Sequence, residues 1–200
     1  MANSVENVFI GKPGGGISVA PLGGTVPTNA TDALPSGFDP LGYISEDGYT
    51  NTVDSDTDTL GAWGGDVVAT LFNGDTETFT FTAIEINPVV LKQVYGPSNV
   101  TVVGDTITAL HNSIPRPHAS WVFETLYNGR VKRDVVPDGQ ITDIGDIVNQ
   151  DGDAVGFEIT VTAYPDADGN RAYTYIAKVE AEPESLAAPA AEPEPEQAAA

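Results

Sequence analysis

Cysteine is absent from the 200-residue chain, and lysine and arginine together number only eight. The first absence removes disulfides, thiolate metal sites and cysteine nucleophiles at once, and it is compatible with assembly in a reducing cytoplasm. The second bears on partners. Against those eight stand 29 acidic residues, for a net charge of −21. Binding through counterion release needs clustered basic side chains, so such a surface repels phosphate backbones and anionic membranes, and specific nucleic-acid recognition is not expected. Long apolar runs are missing too. None approaches the roughly 18 residues that a membrane helix requires. The segment Met1-Ala2-Asn3-Ser4-Val5-Glu6 has no basic region leading into an apolar stretch, so a signal peptide is not expected.

What is present divides unevenly along the chain. Residues 180–200 are almost wholly Ala, Pro and Glu, with six glutamates and no Lys or Arg. Too little apolar surface is available there to offset ordering entropy, which predicts a disordered acidic tail. Without those six glutamates, 23 acidic residues still face eight basic ones, so the acidity belongs to the remainder as well. Residues 1–41 read as a Gly/Pro-rich N-terminal arm with only short apolar clusters such as Ile17-Ser18-Val19-Ala20. Within a β-rich domain at 42–179, residues 45–65 read as an irregular acidic loop ending in Ala62-Trp63-Gly64-Gly65. Structureless stretches longer than about 12–15 residues are uncommon in compact domains unless functional or disordered. Two of them predict arms that order against something else.

The rest alternates as strands do. Phe79, Phe81 and Ala83 oppose Thr78, Thr80 and Thr82, while Phe157, Ile159, Val161 and Ala163 oppose Glu158, Thr160 and Thr162. Tyr173, Tyr175, Ala177 and Val179 continue that pattern after 165–170, predicting a hairpin. A second hairpin is predicted at 120–136, with Asn128-Gly129 supplying the positive φ angles of a tight turn. Val67 to Phe72 reads as a further strand. One helix is expected: Asn87 caps, Pro88 opens the first turn, and Val90, Leu91 and Val94 form the buried stripe before Gly96-Pro97.

No constellation carries chemistry. Asp54-Ser55-Asp56-Thr57-Asp58 alternates like a calcium loop but has Thr59 and Gly65 where that loop needs Gly and Glu. In Asp166-Ala167-Asp168-Gly169-Asn170 the required glycine is replaced by Arg171, so both read as acidic turns. His111 and His118 lack any nucleophile elbow nearby. Lys12-Pro13-Gly14-Gly15-Gly16 lacks the Gly-Lys-Ser/Thr ending of a phosphate loop. No catalytic, metal or cofactor residues are therefore expected. Trp121 lies within a strand and reads as core. Trp63, between loop glycines, reads either as an anchor for another subunit or as a loop side chain folding back on its own core.

Four stretches carry a resemblance. Leu60-Gly61-Ala62-Trp63-Gly64-Gly65-Asp66-Val67-Val68, Glu77-Thr78-Phe79-Thr80-Phe81-Thr82 and Leu91-Lys92-Gln93-Val94-Tyr95-Gly96, preceded by Leu41-Gly42-Tyr43-Ile44-Ser45-Glu46-Asp47-Gly48, resemble the major tail protein of long-tailed phages infecting actinobacteria. The match runs in order from Leu41 to Ile176. The resemblance implies a mainly β fold, an antiparallel β-sandwich or barrel of the tail-tube type with one short flanking helix and long loop arms. It implies a non-enzymatic virion protein that self-assembles into stacked hexameric rings, forming the tube for genome delivery. Implied partners are other copies of the chain, the tape measure protein, the tail terminator and distal tail proteins. Double-stranded DNA would pass through the lumen without specific binding, no membrane would be engaged, and assembly would occur in the host cytoplasm. Inter-subunit contact is expected at Tyr49, Asp54, Asp56, Asp58, Leu60 and Trp63, and deletion of Thr50–Thr59 is expected to leave a folded monomer that forms no tubes. The competing reading is a virion-surface decoration or adhesin-like β-domain binding a host or carbohydrate ligand.

Overall fold

A computed structural model describes residues 13–127, 129–152 and 154–178. Among the described residues, ten strands and one α-helix follow in the order β1 (Pro13–Pro21), β2 (Asp39–Pro40), β3 (Ile44–Gly61), β4 (Val67–Ala83), α1 (Pro88–Tyr95), β5 (Val100–Val103), β6 (Thr106–Ala109), β7 (His118–Tyr127), β8 (Arg130–Ile144), β9 (Phe157–Tyr164) and β10 (Tyr173–Lys178), with a short 3-10 turn at Pro97–Asn99. The main sheet is antiparallel along the path β2-β1-β7-β8-β9-β4-β3, with β10 also on β8, while β5 and β6 form a separate hairpin.

The fold is mainly β with one short helix, as expected, but the sheet does not close into a barrel. Its curvature is nonetheless strong. Three strands separate β3 from β7, a distance of roughly 19 Å in a flat sheet. Yet the Tyr49 and Phe123 ring centroids lie 5.0 Å apart. The sheet wraps its alternating apolar face inward, burying Phe79, Phe81, Trp121, Phe123, Val136, Ile159 and Val161 together. β1 and β3 do not pair, and on its outer side β1 pairs with the short β2 through Ser18↔Pro40 and Val19↔Asp39.

Helix α1 covers the core with Val90, Leu91 and Val94. Its cap is the one read from sequence: Asn87 Oδ1 accepts from Val89 N and Val90 N at 2.9 Å each, while its Nδ2 donates to Leu41 O at 2.8 Å. The β7–β8 hairpin also forms as expected, with Gly129 at φ 69° in its turn.

Three expectations are corrected. The N-terminal stretch is not an arm over its described part: β1 pairs with β7, and Ile17, Val19 and Leu41 enter the core. Arg133 ties the following segment down by donating to Asn29 O (2.8 Å) and Asp32 O (2.9 Å) while paired with Glu124. Residues 45–65 are not a structureless loop, because β3 runs from Ile44 to Gly61. Finally, β9 and β10 are not partners in a hairpin. Tyr164 lies opposite Asp138 and Tyr173 opposite Val135, so both strands follow one edge of β8 and residues 165–172 bulge outward between them. The acidic stretch 180–200 lies outside the described residues.

Asp166 organises that bulge. Its carboxylate accepts from the Tyr173 hydroxyl (2.7 Å) and from Asn170 N and Asp168 N (3.0 Å each). The Tyr173 hydrogen bond, then that of Asn170, holds the carboxyl below its usual range. A depressed carboxyl stabilises above the ordinary carboxylate range and loses that contribution as pH falls through its folded value. Limited proteolysis is therefore expected to cut 165–172 faster as the pH drops below that range. Asp166→Ala is expected to make cutting equally fast at neutral pH.

Candidate assembly surface

The β3–β4 hairpin continues well past its neighbours. β9 pairs with β4 only from Glu77 to Ala83, whereas β3 and β4 stay paired outward from Val53↔Glu77 to Gly61↔Val67. Beyond Glu77 the ribbon is two strands wide and has lost the core face. Almost every residue there is exposed, which explains why no apolar period is visible in its sequence. Its tip is a tight turn, with Ala62 N donating to Asp66 O (2.7 Å) and Gly65 N to Ala62 O (3.0 Å).

Register assigns the faces, because successive strand residues point to opposite sides. Tyr49, Asn51 and Val53 continue the concave, core-facing side, with Tyr49 opposite Phe81 and Asn51 opposite Phe79. Asp54, Asp56, Asp58 and Leu60 lie on the other side, joined by Leu71 opposite Asp58 and Ala69 opposite Leu60. The three aspartates thus form a line, spaced about 7 Å apart by the strand repeat. A calcium site would need their oxygens to converge at about 2.3–2.6 Å from one ion, which an extended strand does not allow. Among the described residues, no three His, Cys, Asp or Glu groups are placed to hold a metal.

The six sequence-predicted contact residues consequently separate. Asp54, Asp56, Asp58, Leu60 and Trp63 share the projecting ribbon and are exposed. Trp63 stands at the tip in full contact with solvent, so it does not fold back on its own core. Tyr49 belongs elsewhere: its ring packs on Phe123 and Phe79 inside the body, and its hydroxyl donates to Asp134 Oδ2 at 2.5 Å. The sequence did not single out exposed Val67, Val68, Leu71 and Phe72, which add apolar side chains to both faces of the ribbon. An apolar run beside an acidic alternating one was the available signal, since a ribbon without a third layer leaves both uncovered.

The histidines occupy unrelated settings. His118 Nδ1 meets Asp138 Oδ1 at 2.5 Å with Tyr164 against its ring, whereas His111 stacks on Tyr95 at a centroid distance of 4.1 Å. No helix among the described residues is long and apolar enough to cross a membrane.

What this geometry offers is a projecting ribbon with apolar side chains in water and two open edges, a form suited to protein contact. Comparison with known proteins agrees. No curated protein matches the chain. A family model described as phage tail tube protein matches residues 1–188. The chain belongs to that family, and is thereby a structural, self-associating protein of the phage tail.

Proposed function

We propose that copies of this chain assemble into stacked hexameric rings forming the tail tube, the conduit for genome delivery, with the β3–β4 ribbon as an inter-subunit element. The observation that carries this reading is the ribbon itself. A two-stranded ribbon without a covered face is marginally stable in water, and long apolar edge strands invite association. A second subunit resolves both liabilities by covering Leu60, Trp63, Leu71 and Phe72. Assembly takes place in the host cytoplasm. The tape measure protein occupies the lumen before ejection, and terminator and distal tail proteins complete the tube. The acidity has a role in this reading: a wall that attracted phosphates would retard a moving duplex.

Negative-stain electron microscopy of the purified full chain tests this directly. Rings or filaments with a hollow axis are expected. Discrete monomers or trimers across a wide concentration range would reject the tube and favour a surface decoration domain. We place the acidic stretch 180–200 on the tube exterior, where its six glutamates do not narrow the lumen. Protease treatment of assembled tubes is expected to remove that stretch while leaving the tubes intact.

A further inference from the structure

We propose that Asp134 positions the ribbon, through a tie that crosses the core to Tyr49 at the ribbon's root. Asp134 lies on β8 with its side chain only 4% exposed. A buried carboxylate is costly unless its oxygens are satisfied. Here three donors from three elements satisfy it. The Tyr49 hydroxyl on β3 and Lys132 Nζ on β8 reach Oδ2 at 2.5 Å each, and Thr174 Oγ1 on β10 donates to Oδ1 at 2.6 Å.

Tyr49 sits where such a tie bears on the ribbon's direction, inward of a half-exposed ion pair between Asp75 on the ribbon and Arg171 (3.0 Å). β3 ends the sheet path, and among the described residues its backbone ladder is with β4 alone. Its register shifts between Ile44 and Tyr49, which lie opposite Ala83 and Phe81, so residues 45–48 bulge within β3 and Tyr49 is the first residue past the bulge to pair with β4. Without the Tyr49 tie the ribbon would hang from the β4–β9 pairing at Glu77–Ala83 and from the solvent-screened Asp75–Arg171 ion pair, and could bend at that root. Tyr49 makes that tie by spanning the curled sheet: its ring centroid lies 5.0 Å from Phe123 on β7, and its hydroxyl ends on β8. Burial, then the hydrogen bond to Asp134, raises the Tyr49 hydroxyl well above the usual phenol range, so it remains a donor at any pH the protein meets.

Asp134 therefore acts through Tyr49 as a positioning residue, holding the ribbon at a fixed angle to the body. Its consequence for assembly rests on the ribbon being an inter-subunit element; the tie itself does not. Hydrogen exchange on the unassembled full chain separates the two. Tyr49→Phe removes the hydroxyl and keeps the ring, and it is expected to speed exchange of ribbon-root amides in Thr50–Asp54 and Thr76–Phe79 by about tenfold or more. Amides of β7, β8 and the β1 pairing should keep their rates. Thr174→Val, which withdraws a donor from Asp134 without touching β3, is expected to give a smaller increase confined to the same root. Asn51→Ala cuts a hydrogen bond within the ribbon, to Glu77 Oε1 at 2.8 Å, and should not reproduce the effect. Unchanged rates in Tyr49→Phe, a uniform increase over the whole sheet, or equal acceleration by Asn51→Ala would each overturn the proposal. Failure of the wild-type chain to form tubes would reject the assembly reading and leave the tie standing.

Discussion

Excision of residues 56–74, with Ser55 and Asp75 rejoined through an Asn-Gly turn, is expected to yield a monomer that folds normally and does not polymerise. Ser55 and Asp75 lie directly opposite one another, so a two-residue turn can close the shortened hairpin without changing register. Everything that holds the body together is retained. The Tyr49↔Phe81 and Asn51↔Phe79 pairs remain, as do the whole β4–β9 ladder, the Tyr49–Asp134 tie and the Asp75–Arg171 ion pair. None of the excised side chains belongs to the core cluster. Their removal takes apolar surface out of water, so thermal melting of the monomer should be unchanged or slightly higher. Sedimentation and electron microscopy should then find no tubes at concentrations where the wild type forms them. Tubes of normal appearance would sink the assignment of the ribbon to assembly. The simpler deletion of Thr50–Thr59 is a poorer experiment than sequence alone suggested. It removes Asn51 and Val53, which pair with Phe79 and Glu77 at the edge of the body, and it strands β4 without a partner.

The elements legible in the sequence were those fixed by neighbours in the chain. Asn87, Pro88 and Gly96 mark a helix within a single span of ten residues, and that helix forms with the cap expected. Asn128-Gly129 likewise specifies its hairpin locally. Phe157 to Ala163 announces a half-buried strand because one of its faces meets the core. Illegible elements depend on choices made at a distance. Tyr173 to Lys178 has the period of a strand, yet nothing local says that it will extend the β9 edge of β8 instead of turning back on β9. β1 is obscured by glycine and proline, and its strand conformation comes from pairing with β7. The ribbon is the clearest case. Hydrophobic periodicity reports a buried face, and a strand with water on both sides has none to report. Tyr49 falls in a stretch that reads as an irregular loop, and only the register with Phe81 reveals that it faces the core side.

The two tryptophans give the sharpest contrast between body and ribbon. Trp121 is 1% exposed, whereas Trp63 is 107% exposed relative to the reference state. Trp121 packs against Phe81 at a centroid distance of 6.1 Å, and its Nε1 donates to Gly139 O at 3.4 Å. The site is tightly complementary: a Cβ added at Gly139 would come within 2.8 Å of both Trp121 Cδ1 and Val161 Cγ1. Trp121→Ala empties the centre of the curled sheet and is expected to cost about 3–5 kcal/mol in urea denaturation of the monomer, a large share of a domain's stability. Surrounding strands cannot collapse into the space, because β1, β7, β8 and β9 are held in register by their ladders. Trp63→Ala should change the same measurement by less than about 0.5 kcal/mol, as expected of an exposed side chain with no local role. Its effect belongs to assembly, where a buried aromatic anchor typically carries about 2 kcal/mol or more of contact energy. A Trp63→Ala chain that melts like wild type while its critical concentration for tube formation rises at least about tenfold would place the energy of Trp63 between subunits. Unchanged assembly together with lowered monomer stability would instead return Trp63 to the body of its own chain.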